Sequence, residues 1–96
     1  MILPLKVDVH SFTHSSEHDV RCGLLGFMQL VVGDRLLLDG ITLRLTADGR
    51  EALSFPCRTD ARGHRHPLIT PTDADARAAI ERAVLARVAE LRGIAR

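Results

Sequence analysis

Two apolar runs meet at Gly33-Asp34, and that junction constrains the fold more than any other feature of the chain. Residues 20–32 are almost continuously apolar, with Gln29 the one polar side chain after Cys22. Gly23, Gly26 and the β-branched Val31-Val32 pair disfavour a helix there, so the run predicts a central strand covered on both faces. Gly33-Asp34 then predicts a two-residue hairpin, with glycine at the first central position as a type II′ turn requires. The returning strand starts at Arg35. Leu36-Leu37-Leu38 is continuous, Asp39-Gly40 interrupts it, and Ile41, Leu43 and Leu45 then alternate with Thr42, Arg44 and Thr46. A glycine inside such a pattern marks a bulge.

The flanking segments extend this hairpin into a sheet. Leu5, Val7 and Val9 alternate with Lys6, Asp8 and His10, the period of a half-buried strand. The polar residues 13–19 predict a loop. Residues 47–50 predict a second turn, 52–57 a fourth strand, 59–63 a third turn and 64–69 a short fifth strand. Pro56 and Pro67 cannot donate to a ladder and belong at edges or strand ends.

A helix over about 72–92 closes the chain. Either Thr72, with Asp75 three residues on, or Thr70, with Pro71 at the first position, can cap it. Asp73 and Asp75 suit its positive end, and Gly93 offers a stop. Ile80, Ala83, Val84, Val88 and Leu91 form one apolar stripe. Arg87 projects onto that stripe and reads as a guanidinium snorkelling from its edge.

The fold expected from these elements is α+β: a single domain over 1–96, with a five-stranded antiparallel sheet over about 3–69 and one C-terminal helix packed on it. The hydrophobic share is 46%, yet Phe12, Phe27 and Phe55 are the only aromatic residues, so Leu, Val, Ile and Ala must build the core. The three phenylalanines are expected inside it. One helix covers one face of a sheet, whereas the two central strands look apolar on both. A second copy of the chain is the simplest cover for the remaining face, which predicts a homodimer.

Charge and cysteine usage narrow the function classes. Thirteen Lys+Arg stand against 12 Asp+Glu, a formal charge of +1, so only clustering can argue for a nucleic-acid partner. Arg58, Arg62 and Arg65, with His64 and His66, fall within nine residues that contain one acid, Asp60. Doubled in a dimer, that cluster can track a phosphate backbone; a solvated arginine-rich loop is the bland alternative. Cys57, His64, His66 and Cys22 have the number for a zinc site, but there is no C-x-x-C pair and the spacing fits no zinc module. Ser15 and Ser16 lie among His10, His14, His18 and Asp19, without a rigid pocket to make a nucleophile of either. No phosphate-cradling glycine loop or dinucleotide fingerprint occurs. No catalytic residue, metal or cofactor is expected. Two cysteines without a leader pattern, and no apolar stretch near the roughly 18 residues of a membrane span, predict a soluble cytoplasmic protein with reduced thiols.

Taken in order, the hairpin of residues 30–45, the strand end Leu53-Ser54-Phe55-Pro56-Cys57-Arg58, His66-Pro67-Leu68 and the helix core Ile80-Glu81-Arg82-Ala83-Val84-Leu85 resemble the SpoVG family. These are small bacterial regulators first associated with sporulation and septation. The resemblance runs over about 30–91. It implies an antiparallel sheet with a C-terminal helix, a homodimer, and binding of DNA and RNA in gene regulation. Carried over by position, the contacts are Arg58, the loop Arg62, His64, Arg65 and His66, and Arg77 near the helix start. The chain departs from the family in its acidic helix start, Asp73 and Asp75 with the lone Arg77, and in a first strand whose basic residues are thinned to Lys6 and His10. An acidic helix start repels phosphate. A dimeric protein-interaction module that kept the fold without nucleic-acid contact is therefore the alternative function.

Overall fold

A computed structural model of the chain describes residues 6–94, so Leu5 of the expected first strand lies outside the described residues. The element order is β1 (Val7–His14), α1 (Glu17–Arg21), β2 (Leu24–Val32), β3 (Leu36–Leu45), β4 (Glu51–Ser54), β5 (Cys57–Thr59), β6 (Arg65–Pro67) and α2 (Ala74–Ile94). Strands β1 to β4 form one antiparallel sheet in sequence order, and β5 and β6 form a separate two-stranded hairpin. The expected α+β class, with an antiparallel sheet and a C-terminal helix, is observed. The single five-stranded sheet is not. Phe55-Pro56 ends β4, because proline has no N–H to give the ladder, and Cys57 starts a new pairing.

Five local expectations are corrected by the local backbone. Residues 13–19 are not one loop: β1 continues to His14, and Ser16 caps α1 by accepting from the Asp19 backbone N–H at 3.2 Å. Val20 and Cys22 therefore belong to α1 and its C-terminal turn, and β2 starts only at Leu24. At the hairpin tip both Gly33 (φ 60°) and Asp34 (φ 59°) are left-handed, which makes the turn type I′ rather than II′. Asp73, not Thr72 or Thr70, caps α2, its Oδ1 accepting from Ala76 N–H at 2.7 Å. Gly93 does not stop that helix, which runs through it to Ile94.

Of three register irregularities in the sheet, which include one at Leu24–Gly26, two keep the core in phase. Val7 and Val9 alternate inward, and an unbroken strand would next turn Ser11 to the core. The register instead shifts between Val9 and Ser11, so that Phe12 follows Val9 on the same face. On the other side of β2, Leu30 pairs with Leu38 and Met28 with Ile41, so Asp39-Gly40 together oppose Gln29. This is the bulge expected at Gly40, whose φ is 79°. The phase shift places Ile41 and Leu43, both at 0% exposure, under α2.

The core lies between one face of the sheet and α2. It consists of Val9, Met28, Leu30, Ile41, Leu43, Leu53, Val84 and Val88, with Phe12, Phe55, Ile80 and Leu91 packed against it. Ala83, expected on the helix stripe, is exposed, and Leu85 is the side chain that packs instead. Gly26 is buried with no room for a side chain, since a Cβ there would lie 2.5 Å from the Phe12 ring and 2.9 Å from the Thr13 carbonyl oxygen.

Polar contacts fasten α2 to both edges of the sheet. Arg87 reaches Asp8 of β1 at 3.5 Å and Glu90 at 2.7 Å, in keeping with a guanidinium at the stripe's edge. Arg92 meets Glu51 of β4 at 2.9 Å. Beside it, Glu81 Oε2 accepts from the Leu53 N–H at 2.8 Å while Arg77 donates to the Leu53 carbonyl at 3.2 Å. One i,i+4 pair on the helix thus occupies both outward groups of an edge-strand peptide. Among the described residues, no helix is long and apolar enough to cross a membrane.

The second face of the sheet carries no element of the described chain. The register places Ser11, Thr13, Phe27, Gln29, Val31, Leu37, Thr42 and Ser54 there. Leu37 is 51% exposed and Phe27 45%, so Phe27 is not the core residue the sequence predicted.

Candidate nucleic-acid interface

The basic cluster is organised by its one acid. In the β5–β6 hairpin, Cys57 pairs with Pro67, Arg58 with His66, and Thr59 with Arg65. The connecting loop is closed by Asp60 N–H donating to the His64 carbonyl at 2.9 Å and Gly63 N–H donating to the Asp60 carbonyl at 3.0 Å. Gly63 has φ 84°, a conformation a side chain would resist. The Asp60 carboxylate accepts from the backbone N–H of Arg62 at 2.9 Å and of His64 at 3.0 Å. Its other oxygen lies 2.8 Å from His66 Nε2 and 3.6 Å from His64 Nδ1. The hydrogen bond from His66, followed by those from the His64 and Arg62 backbone, lowers the Asp60 pKa below the ordinary aspartate value.

Strand alternation then divides the cations. Arg58 and His66 are paired across the hairpin and share one face; Cys57, Thr59, Arg65 and Pro67 share the other. Arg58 and Arg62 have exposed side chains that make no hydrogen bond or ion pair among the described residues. Arg65 is turned the opposite way. Its Nη2 and Nε donate to Cys57 Sγ at 3.0 and 3.3 Å, a contact that raises the pKa of the guanidinium further. Arg77 joins neither Arg58 nor His66: its guanidinium carbon stands 5.4 Å from the Phe55 ring centroid, and its Nη1 holds the Leu53 carbonyl and approaches Glu81 at 3.4 Å.

The structure therefore brings together Arg58, His64 and His66 on one face of the hairpin, with exposed Arg62 in its connecting loop. It separates them from Arg65 and Arg77, which line a common cleft behind it. The signal that could have shown this division was the Asp60-x-x-Gly63 turn, since a fixed turn fixes which residues pair and hence which side chains share a face. The histidines engage Asp60 and the thiol engages Arg65, so Cys57, His64 and His66 do not converge. Among the described residues, no three His, Cys, Asp or Glu side chains are grouped to hold a metal. Both cysteines are free thiols, Cys22 exposed beyond α1 and not in the apolar strand setting expected for it. Compared with protein-family models, curated proteins and solved structures, the chain matches none.

Proposed function

We propose that this chain is a SpoVG-like regulatory protein that binds DNA or RNA as a homodimer through the outer face of its β5–β6 hairpin. The observation that carries the proposal is the pair Arg58 and Arg62: two exposed guanidinium groups with no partner among the described residues, on a hairpin set apart from the main sheet. A guanidinium with all five N–H groups free is suited to bidentate phosphate contact. His66 and His64 flank them, held in place by Asp60. In a homodimer formed through the uncovered sheet faces, the cluster occurs twice, and two modest contacts become one of useful affinity.

Binding to a DNA duplex and to single-stranded RNA, measured by anisotropy over a salt series, tests the proposal. Affinity should fall steeply as salt rises, and Arg58→Ala with Arg62→Ala should lower the slope of log K against log salt by about two per subunit. Undetectable binding at low salt, or a slope untouched by the double variant, overturns it.

Exposed Phe27 and Leu37 favour a second reading, a dimeric protein-interaction module, because a protein-binding patch is apolar at its centre and polar at its rim. A stable complex with one protein partner that carries no nucleic acid, lost in Phe27→Ser, would decide for that module.

A further inference from the structure

The two cations that stand apart from the outer face, Arg65 by strand alternation and Arg77 by its place on α2, are not idle side chains. Arg65 and Arg77 line one cleft of about 290 Å³, enclosed by the end of β4, the hairpin, residues 69–71 and the first turn of α2. Its remaining walls are largely apolar, from Phe55, Pro56, Pro67 and Ile69, and no carboxylate lines it. The volume is at the lower limit of small-molecule sites, so it suits one head group rather than a dinucleotide.

Both guanidinium groups have intramolecular contacts before any ligand arrives. Arg65 rests on Cys57 through Nε and Nη2, which leaves its Nη1. Arg77 is held over Phe55 and uses Nη1 on the Leu53 carbonyl and Glu81, which leaves Nε and Nη2. Immobilising a free arginine on binding costs rotamer entropy, and here folding has already restricted both. Glu81 lies 3.4 Å from Arg77 but directs the same oxygen to the Leu53 N–H, and it offsets only part of the positive charge. Two forks left with free donors, set among apolar walls, match an anion with three acceptor oxygens and more than one negative charge.

We propose that this cleft is a seat for a phosphate monoester, gripped between Arg65 and Arg77 and separate from the hairpin face that contacts nucleic acid. The ester carries its organic part against the wall formed by Phe55 and Pro56. The phosphate can come from a free nucleotide or from the phosphorylated end of a nucleic-acid strand. The proposal does not depend on Arg58 or Arg62, and it stands or falls apart from the reading above.

The test is a titration of the full chain with adenosine 5′-monophosphate, adenosine, acetate and inorganic phosphate, followed by the arginine side-chain NMR signals. Adenosine 5′-monophosphate and inorganic phosphate should shift the Arg65 and Arg77 signals saturably, and adenosine and acetate should not. Arg65→Gln and Arg77→Gln should each weaken the monophosphate about tenfold, and Arg65→Lys, which keeps the charge but loses the fork, by less. Arg21→Gln, on α1 and outside the cleft lining, should leave it unchanged. An oligonucleotide bearing a 5′-phosphate that competes with the monophosphate, where its unphosphorylated twin does not, assigns the source to strand ends; equal failure of both assigns it to free nucleotides. Absence of a saturable shift up to about 10 mM overturns the proposal, as does an equal response to acetate. The wild-type titration reads the site directly, so a variant that fails to fold does not protect the proposal.

Discussion

Strand β3 carries leucines to both faces of the sheet, and the two faces treat them differently. Leu43 points under α2 and is fully buried; Leu37 points away from it and is half exposed. They share a residue type and a strand, so the contrast isolates what cover contributes. Under α2 the apolar groups are held by neighbours from both layers, whereas Leu36, which the register turns to that same side at the hairpin end, is 57% exposed. On the open side Leu37 pairs with Val31, with Gln29 and then the Phe27–Thr42 pair farther along the same face, and no element of the described chain lies above them. A sheet with one packed face and one mixed face suits a domain that completes its burial by association.

The largest effect that can break this contrast is Leu43→Ala, which should cost about 2–5 kcal/mol in urea unfolding, because a cavity opens where neither sheet nor helix can collapse. Leu37→Ala should change folding of the isolated chain by less than about 1 kcal/mol while moving a dimer toward monomer in light scattering. Equal costs for the two would show that the faces do not differ. Next in size is Gly26→Ala, where the new methyl group would strike the Phe12 ring and a β1 carbonyl. Thermal unfolding should show a loss of about 1–3 kcal/mol, and Gly49→Ala, which meets no atom within 4 Å but has φ 86°, should show the smaller penalty of a strained turn alone.

The smallest effect is on pH and concerns the hairpin rather than the sheet. Asp60 has a folded pKa below its unfolded value of about 3.9. Its contribution is therefore complete above that unfolded value and is lost as pH falls through the lowered one. The backbone amide signals of Arg62 and His64 should move with that acid titration while those of Ile41 and Leu43 do not, and Asp60→Asn should remove the transition. A coincident transition in both regions would mean that the hairpin and the core unfold as one.

Sequence patterning revealed what repeats and missed what interrupts repetition. The central hairpin, the bulge at Gly40 and the terminal helix are periodic signals or breaks within them. The phase shift near His10 leaves no such mark, since histidine has no special backbone preference, and Phe12 looks misplaced until the shift is known. Helix α1 rests on a single serine cap over five residues, shorter than a periodicity can register. The apolar run 20–32 places Phe27 in the core, but the alternation of β2 around buried Gly26 and Met28 turns it outward. The candidate site was legible as a list of residues and not as an arrangement. Composition identified Arg58, Arg62, His64, Arg65 and His66 as a cluster, whereas only the register of the short hairpin shows that Arg65 leaves it for Arg77.

The clamp of Arg77 and Glu81 on Leu53 also bears on how copies of this chain can accumulate. A sheet grows like a stack of rails, each new rail needing vacant fastenings on the last. At the β4 margin the Leu53 fastening is already closed by the helix, so an arriving chain must first evict two charged side chains. The opposite margin is skewed by the irregularity near His10. A molecule built this way resists growth into endless ribbons.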